Sequence, residues 1–350
     1  MSPPDAEFSA TMSPPSEPAR PTLPSRMPLE PMDAQITSIQ PGGGVCMRLE
    51  LAWGYVRRWY LKTFRRGYVA RMAQLRRGDK NVCPFEVLDP RDVKFYRNLG
   101  GYSWEPRDDP FIWRDQLPFA RVGLAELWLI SGAFFAVAVC LLWLFWPLAV
   151  VPVVLGLCIV WFFRNPRRTV PHGVGLVVSP ADGKVVQIEE IDYDEFIGGP
   201  ALLVGIFLSV FNVHINRTPV AARVIGLTYR KGKFLNAMLP ESARENERLT
   251  VRLEENAVPH RRMIVRQIAG LIARRIVCWV KPGDDLAASE QFGMIKLGSR
   301  TELVVPRDGT LRIETKLGAM VKAGESVLLR YDAVGPATEE ERREKREDRG

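Results

Sequence analysis

Cysteine is scarce in this sequence and poorly placed for chemistry. Cys46, Cys83, Cys140, Cys158 and Cys278 are scattered, odd in number and never in a C-x-x-C pair. That pattern supplies no disulfide framework and no zinc site, so no metal is expected, and it suits a reducing compartment. Histidine is scarcer still, with only His172, His214 and His260. The N-terminal region lacks the continuous apolar stretch of a signal peptide. Charge is missing altogether from Leu127 to Phe163.

That uncharged run, "LWLISGAFFAVAVCLLWLFWPLAVVPVVLGLCIVWFF", exceeds the roughly 20 residues a single membrane span needs. Pro147 and Pro152 fall near its middle, where a turn belongs. Two short spans or a re-entrant hairpin fit this pattern; a buried helix pair in a soluble core fits it poorly. Arg114 and Arg121 precede the run, and Arg164, Arg167 and Arg168 follow it, which places both ends on the cytoplasmic side.

The remaining chain divides by composition. Residues 1–44 are rich in Pro, Ser and Gly and are expected to be disordered. Residues 45–122 form a basic, aromatic-rich extension. Within it, 47–80 carries ten Lys/Arg against two acidic residues, with Trp53, Trp59, Tyr60 and Phe64 interleaved. A helix on an anionic membrane, a nucleic-acid arm and a solvated basic helix all use these residue types. Residues 123–163 are the hairpin and 164–335 a β domain. Residues 336–350 form a charged tail of mixed sign. The net charge of +8 suits a polyanionic partner.

In the β domain, short Val/Ile/Leu-rich runs alternate with "DG", "GG", "PG" and "AG" turns, the rhythm of antiparallel strands. Helical character is brief, around 234–249. Three motifs carry uncommon side chains: "SPADGKV" with Asp182, "FLSVFNVHINRTP" with His214, and "FGMIKLGSRTELVVP" with Ser299. The last reads as a strand interrupted by a Gly-Ser step. An Asp182–His214–Ser299 relay is available by residue type, though geometry rather than chain order defines such a relay. Around Ser299 there is no G-x-S-x-G elbow. Gly298 instead frees the backbone, so that the Ser299 hydroxyl can reach the Gly298 carbonyl.

"FFRNPRR", "SPADGKV", "FNVHINRTP", "VRQIAGLIARRIVCWV" and "FGMIKLGSRTELVVP", in that order, resemble the phosphatidylserine decarboxylase family in its shorter bacterial type, over about residues 158–332. The resemblance implies an α+β, mainly β domain of packed antiparallel sheets with few short helices, behind a hydrophobic helical hairpin. It implies self-cleavage between Gly298 and Ser299, with Ser299 becoming a covalent pyruvoyl cofactor and His214 and Asp182 forming the activating relay. Phosphatidylserine would then lose CO2 through a Schiff base to give phosphatidylethanolamine. The implied assembly is a β chain (1–298) with an α chain (299–350), open to a higher oligomer, on the cytoplasmic side of a bacterial membrane, with no nucleic acid.

Two other classes use parts of the same pattern. One is a membrane-bound serine hydrolase with the same relay and no self-cleavage. The other is a biotinyl/lipoyl-like carrier, since "SPADGKVVQI" and "LRIETKLGAMVKAGESVLL" look like its two halves. The second lacks the Met-Lys-Met setting of a modifiable lysine: Lys316 stands apart from Met320.

Overall fold

The computed structural model describes residues 26–239, 241–271, 275–296 and 298–332. Its helices are α1 (Val45–Phe64), α2 (Arg66–Leu75), α3 (Leu124–Leu144), α4 (Val150–Phe162) and the single turn α5 (Ser242–Glu245). The strands begin with β1 (Leu176–Val178), β2 (Gly183–Asp194), β3 (Gly199–Leu208), β4 (Ile215–Arg217), β5 (Ala222–Arg230), β6 (Arg248–Glu255) and β7 (Arg262–Ile268). They continue with β8 (Arg275–Cys278), β9 (Asp285–Leu286), β10 (Gln291–Lys296), β11 (Ser299–Pro306), β12 (Leu311–Ile313), β13 (Met320–Val321) and β14 (Val327–Tyr331).

The expected mainly β architecture is present. One eight-stranded sheet runs β13-β2-β3-β11-β7-β6-β5-β9, and two three-stranded sheets run β1-β14-β12 and β4-β10-β8. The pairings between these strands are antiparallel. The main core lies between the large sheet and the two small ones, joining Val204, Val251, Val265 and Leu303 to Phe292, Ile295 and Leu329. Strand alternation sends every second residue of the large sheet into this core and the others outward.

The interrupted strand proves to be two strands in different sheets. β10 pairs with β4 and β8, and β11 pairs with β3 and β7. Gly298, at φ +66°, lies at the change of sheet. A left-handed backbone costs a residue with a Cβ roughly 1–2 kcal/mol, so glycine suits the crossing.

Two expectations change. Part of the leader, residues 1–25, lies outside the described residues, as does the tail 336–350. Residues 26–44, however, are ordered against the β domain. Ile36 and Ile39 are buried, the Ile39 carbonyl accepts from Cys278 N at 2.8 Å, and Asp33 accepts from Tyr229 N at 2.8 Å. Two isoleucines and the backbone bonding of "ITSI" outweigh the Pro/Gly composition around them. The helix expected over 234–249 shrinks to α5, because the Asn246 side chain takes backbone bonds from Leu235 and to Ala269 that favour a folded loop.

The apolar run forms an unequal hairpin. α3, at about 1.5 Å per residue, is roughly 30 Å long and is long and apolar enough to cross a membrane. The returning α4 is shorter and follows a tight turn through Pro147. Gly156 lets the helices close: a Cβ there would stand 2.7 Å from the Phe135 ring. The hairpin's base is seated on the β domain, where Leu124, Leu127, Phe162 and Phe163 pack with Val213, Ile215 and Met294. Buried Glu126 at the start of α3 pairs with Lys296 at the end of β10 and lies 3.6 Å from Arg275. Because a buried charge is costly unless paired, this contact fixes the hairpin to the strand that leads into Gly298.

Candidate active site

His214 sits in the loop between β3 and β4, wedged under the hairpin with its ring 4.7 Å from that of Phe162. Its Nδ1 lies 2.9 Å from the Asn212 carbonyl oxygen, and its Nε2 accepts from the Gly298 backbone N–H at 3.0 Å. A carbonyl can only accept, so Nδ1 carries the proton and Nε2 offers a lone pair. Burial drives the His214 pKa down to about 4, the Asn212 carbonyl opposes that shift, and the charge of Arg164 adds to it. The ring is therefore neutral at ordinary pH, in the tautomer a base requires.

Ser299 opens β11 opposite Leu208 and is fully buried. Its hydroxyl oxygen has no hydrogen-bond partner among the described residues. An unpartnered buried hydroxyl is expensive and calls for an explanation. Below it on the same side of β11, Thr301 accepts from Asn216 Nδ2 at 3.0 Å, and Asn216 Oδ1 accepts from Gln267 at 2.9 Å. These buried, uncharged groups tie β4, β7 and β11 together beneath the Gly-Ser step.

Gly270 completes the setting. A Cβ on it would stand 2.3 Å from the Gly298 carbonyl oxygen, so only glycine allows that carbonyl its position. Nothing in a single sequence separates this glycine from an ordinary turn residue, although it lies inside "VRQIAGLIARR".

Asp182 is placed differently from the relay expected of it. Both carboxylate oxygens accept from Arg168 Nη2 at 2.8 Å, and one also accepts from Ala323 N at 2.8 Å. His214 instead has the Asn212 carbonyl on Nδ1, so the structure brings Gly298, Ser299 and His214 together and leaves Asp182 on an arginine. Asp182 immediately precedes β2 and His214 immediately precedes β4, while β11 lies between β3 and β7. His172 is exposed, and His260 bonds the Glu255 carbonyl in a distant turn.

Sequence reasoning also gave no site role to three arginines. Arg164 follows α4, stacks 4.1 Å above Trp161 and donates to the Phe211 carbonyl at 2.7 Å. Arg168 and Arg217 share the field of Asp182 with it. Beside them Phe211 is 71% exposed, and Val210 would lie 3.9 Å from a Cβ on Gly298. The signal was present, since "FFRNPRR" ends the apolar run, but it read as flanking charge. Among the described residues no His/Cys/Asp/Glu cluster can hold a metal.

Fold and site together define a class: a mainly antiparallel β enzyme whose candidate site is a crossing of its own backbone, set beside an apolar hairpin. The profile of the phosphatidylserine decarboxylase family matches residues 155–329. The phosphatidylserine decarboxylase proenzyme of Rhodopirellula baltica is 54% identical over 239 residues, covering 68% of this chain and 99% of that protein. The proenzyme of the same name from Syntrophus aciditrophicus is 43% identical over 225 residues (63% of this chain, 98% of that protein). That from Symbiobacterium thermophilum is 45% identical over 203 residues (58% and 93%). The chain belongs to the phosphatidylserine decarboxylase family.

Proposed function

We propose that the chain cuts itself between Gly298 and Ser299, makes a pyruvoyl group from Ser299, and decarboxylates phosphatidylserine to phosphatidylethanolamine. The observation that carries this reading is the neutral His214 aimed at Gly298 beside the unpartnered hydroxyl of Ser299. These residues fit the group: a nucleophile with no competing bond, a flexible glycine before it, and a base whose lone pair meets the N–H of that glycine.

The self-cleavage follows from that arrangement. Ser299 Oγ attacks the Gly298 carbonyl carbon while His214 Nε2, released from the Gly298 N–H, takes the hydroxyl proton. The peptide C–N bond breaks, leaving an ester on Oγ and a free amine on Ser299. Loss of the Cα proton and rupture of Cβ–Oγ release the Gly298 carboxylate and leave dehydroalanine. Addition of water and departure of ammonia give the pyruvoyl end. Once present, this group supplies a ketone for the lipid's serine amine and an electron sink for the departing CO2. His214 remains at hand to hold or return a proton at the reacting carbon. Asp182 serves by fixing Arg168 and the turn at Ala323.

A lipid substrate agrees with the surroundings. Trp143 and Leu144 at the hairpin tip are almost wholly exposed, as apolar side chains are when bilayer covers them. Arg164 stands at the hairpin's base, where a phosphodiester would arrive, and Phe211 would lie among acyl chains. α1 touches α3 and exposes Leu49, Trp53, Tyr60 and Phe64 among its basic residues, which suits the headgroup layer of an anionic membrane. Arginines at both hairpin ends favour the cytoplasmic side.

Intact-mass measurement on detergent-extracted protein tests the reading. Two chains, one ending at Gly298 and one beginning with a ketone-blocked residue 299, are expected. Ser299→Ala is expected to stay whole and to release no CO2. A single uncut wild-type chain that still decarboxylates would overturn the reading.

A further inference from the structure

The outward face of the large sheet, turned away from Ser299, holds an open cleft of about 460 Å³. Five arginines line it: Arg230 from β5, Arg248 and Arg252 from β6, and Arg262 and Arg266 from β7. Strand register forces them together. Arg230 lies directly opposite Arg248, and Arg266 opposite Thr250. Like charges facing each other across a pair of strands destabilise it.

Three carboxylates on the lining, Glu30, Asp194 and Glu195, only partly neutralise this crowd. Glu30 holds Arg252 through two contacts of 2.8 Å. Arg266 lies 3.4 Å from Glu302 and 3.7 Å from Asp194. Arg230, Arg248 and Arg262 have no ion-pair partner among the described residues. Arg248 reaches only the Ala243 carbonyl at 3.4 Å, and Arg262 only that of Phe196 at 3.3 Å. Burial lowers the pKa of Arg248 first, and the charges of Arg266 and Arg230 lower it further. The hydroxyls of Thr228 and Thr250, opposite each other on the cleft floor, add neutral donors.

We infer that this cleft is a binding site for a phosphate-bearing anion, separate from the decarboxylation site. Planar guanidinium forks match phosphate oxygens in pairs, and a dianion would remove the repulsion between Arg230 and Arg248. The volume admits a phosphate with a small organic substituent. Free phosphate and a phospholipid headgroup share this chemistry.

Calorimetric titration of the full chain in a non-ionic detergent tests the inference, using sodium phosphate against sodium chloride of equal ionic strength. Saturable binding of phosphate beyond chloride is expected. Arg248→Gln, and separately the exposed Arg230→Gln, should weaken it about tenfold or more, the worth of a charge-assisted hydrogen bond. Without phosphate both variants should melt no lower than wild type, because each removes a repulsion. A parallel titration with glycerol 3-phosphate identifies the source. Tighter binding than inorganic phosphate assigns a lipid headgroup, and equal or weaker binding assigns free phosphate. No saturable binding above chloride, or unchanged affinity in both variants, overturns the site. The Ser299→Ala chain should bind equally well, which keeps this result independent of self-cleavage.

Discussion

The two sides of β11 handle polarity in opposite ways. Inward, Ser299 and Thr301 face uncharged partners or none, in a region where His214 itself is held neutral. Outward, Arg300 donates to Glu302 at 3.0 Å, Glu302 meets Arg266, and Gly205 leaves room for the Arg300 side chain to cross. One side holds its candidate base neutral, by burial first and by the charge of Arg164 after it, and the other neutralises charge with charge. The candidate chemistry lies on the side where the imidazole lone pair stays free of a proton.

That contrast can be broken from the inside. His214→Ala removes the proposed base, and the rate of self-cleavage should fall by about 10²–10⁴-fold, read by chain separation over time. Gly270→Ala, whose new methyl group would collide with the Gly298 carbonyl, should slow cleavage by about 10²-fold, because small misplacements of reacting atoms are costly. The same assay across pH separates a base from a spacer. Because His214 is held near 4 rather than at its ordinary 6.5, cleavage should persist through pH 5 and fail only as pH approaches 4. Between 6.5 and 4 the unfolded chain binds a proton that the folded chain refuses, so stability should decline as pH falls through that window. A cleavage midpoint near 6.5 would place His214 in a wetter setting than the one described.

Smaller effects sharpen the comparison. Thr301→Val deprives Asn216 of its shorter bond and should cost about 1–3 kcal/mol in denaturant unfolding. Glu302→Gln, on the other side of the same strand, leaves buried Arg300 without its carboxylate, so it should lower stability at least as much and leave the cleavage rate unchanged. A cleavage defect in Glu302→Gln would show that the two sides are not independent.

Much of this was legible in the sequence. Val/Ile runs and Asp-Gly turns announced the sheets, the uncharged run announced the hairpin, and the Gly-Ser step marked its own strand break. Ser299, Gly298 and His214 stood out because each is an unusual residue in an apolar stretch. Other features depend on proximity in space, which spacing does not encode. Asp182 finds Arg168 because a loop before β1 returns beside the turn at Ala323. Gly270 matters only because the Gly298 carbonyl lies against it. The arginines of β5, β6 and β7 look like ordinary alternating surface charge until the register places Arg230 opposite Arg248. Residues 26–44 were misjudged because composition averages over the two isoleucines that anchor them.

Strand β11 begins at Ser299 and lies between β3 and β7 along its length, with β12, β13 and β14 woven into all but one of the sheets beyond it. A cut before Ser299 would therefore free a chain end without freeing a chain. Its thermodynamic consequence appears only on heating. Before the cut, refolding is unimolecular; afterwards two strangers in solution must find each other, so recovery from denaturation becomes concentration-dependent and slow. Maturation would then be a ratchet: the molecule gives up the ability to repair its fold by itself once the site has been made.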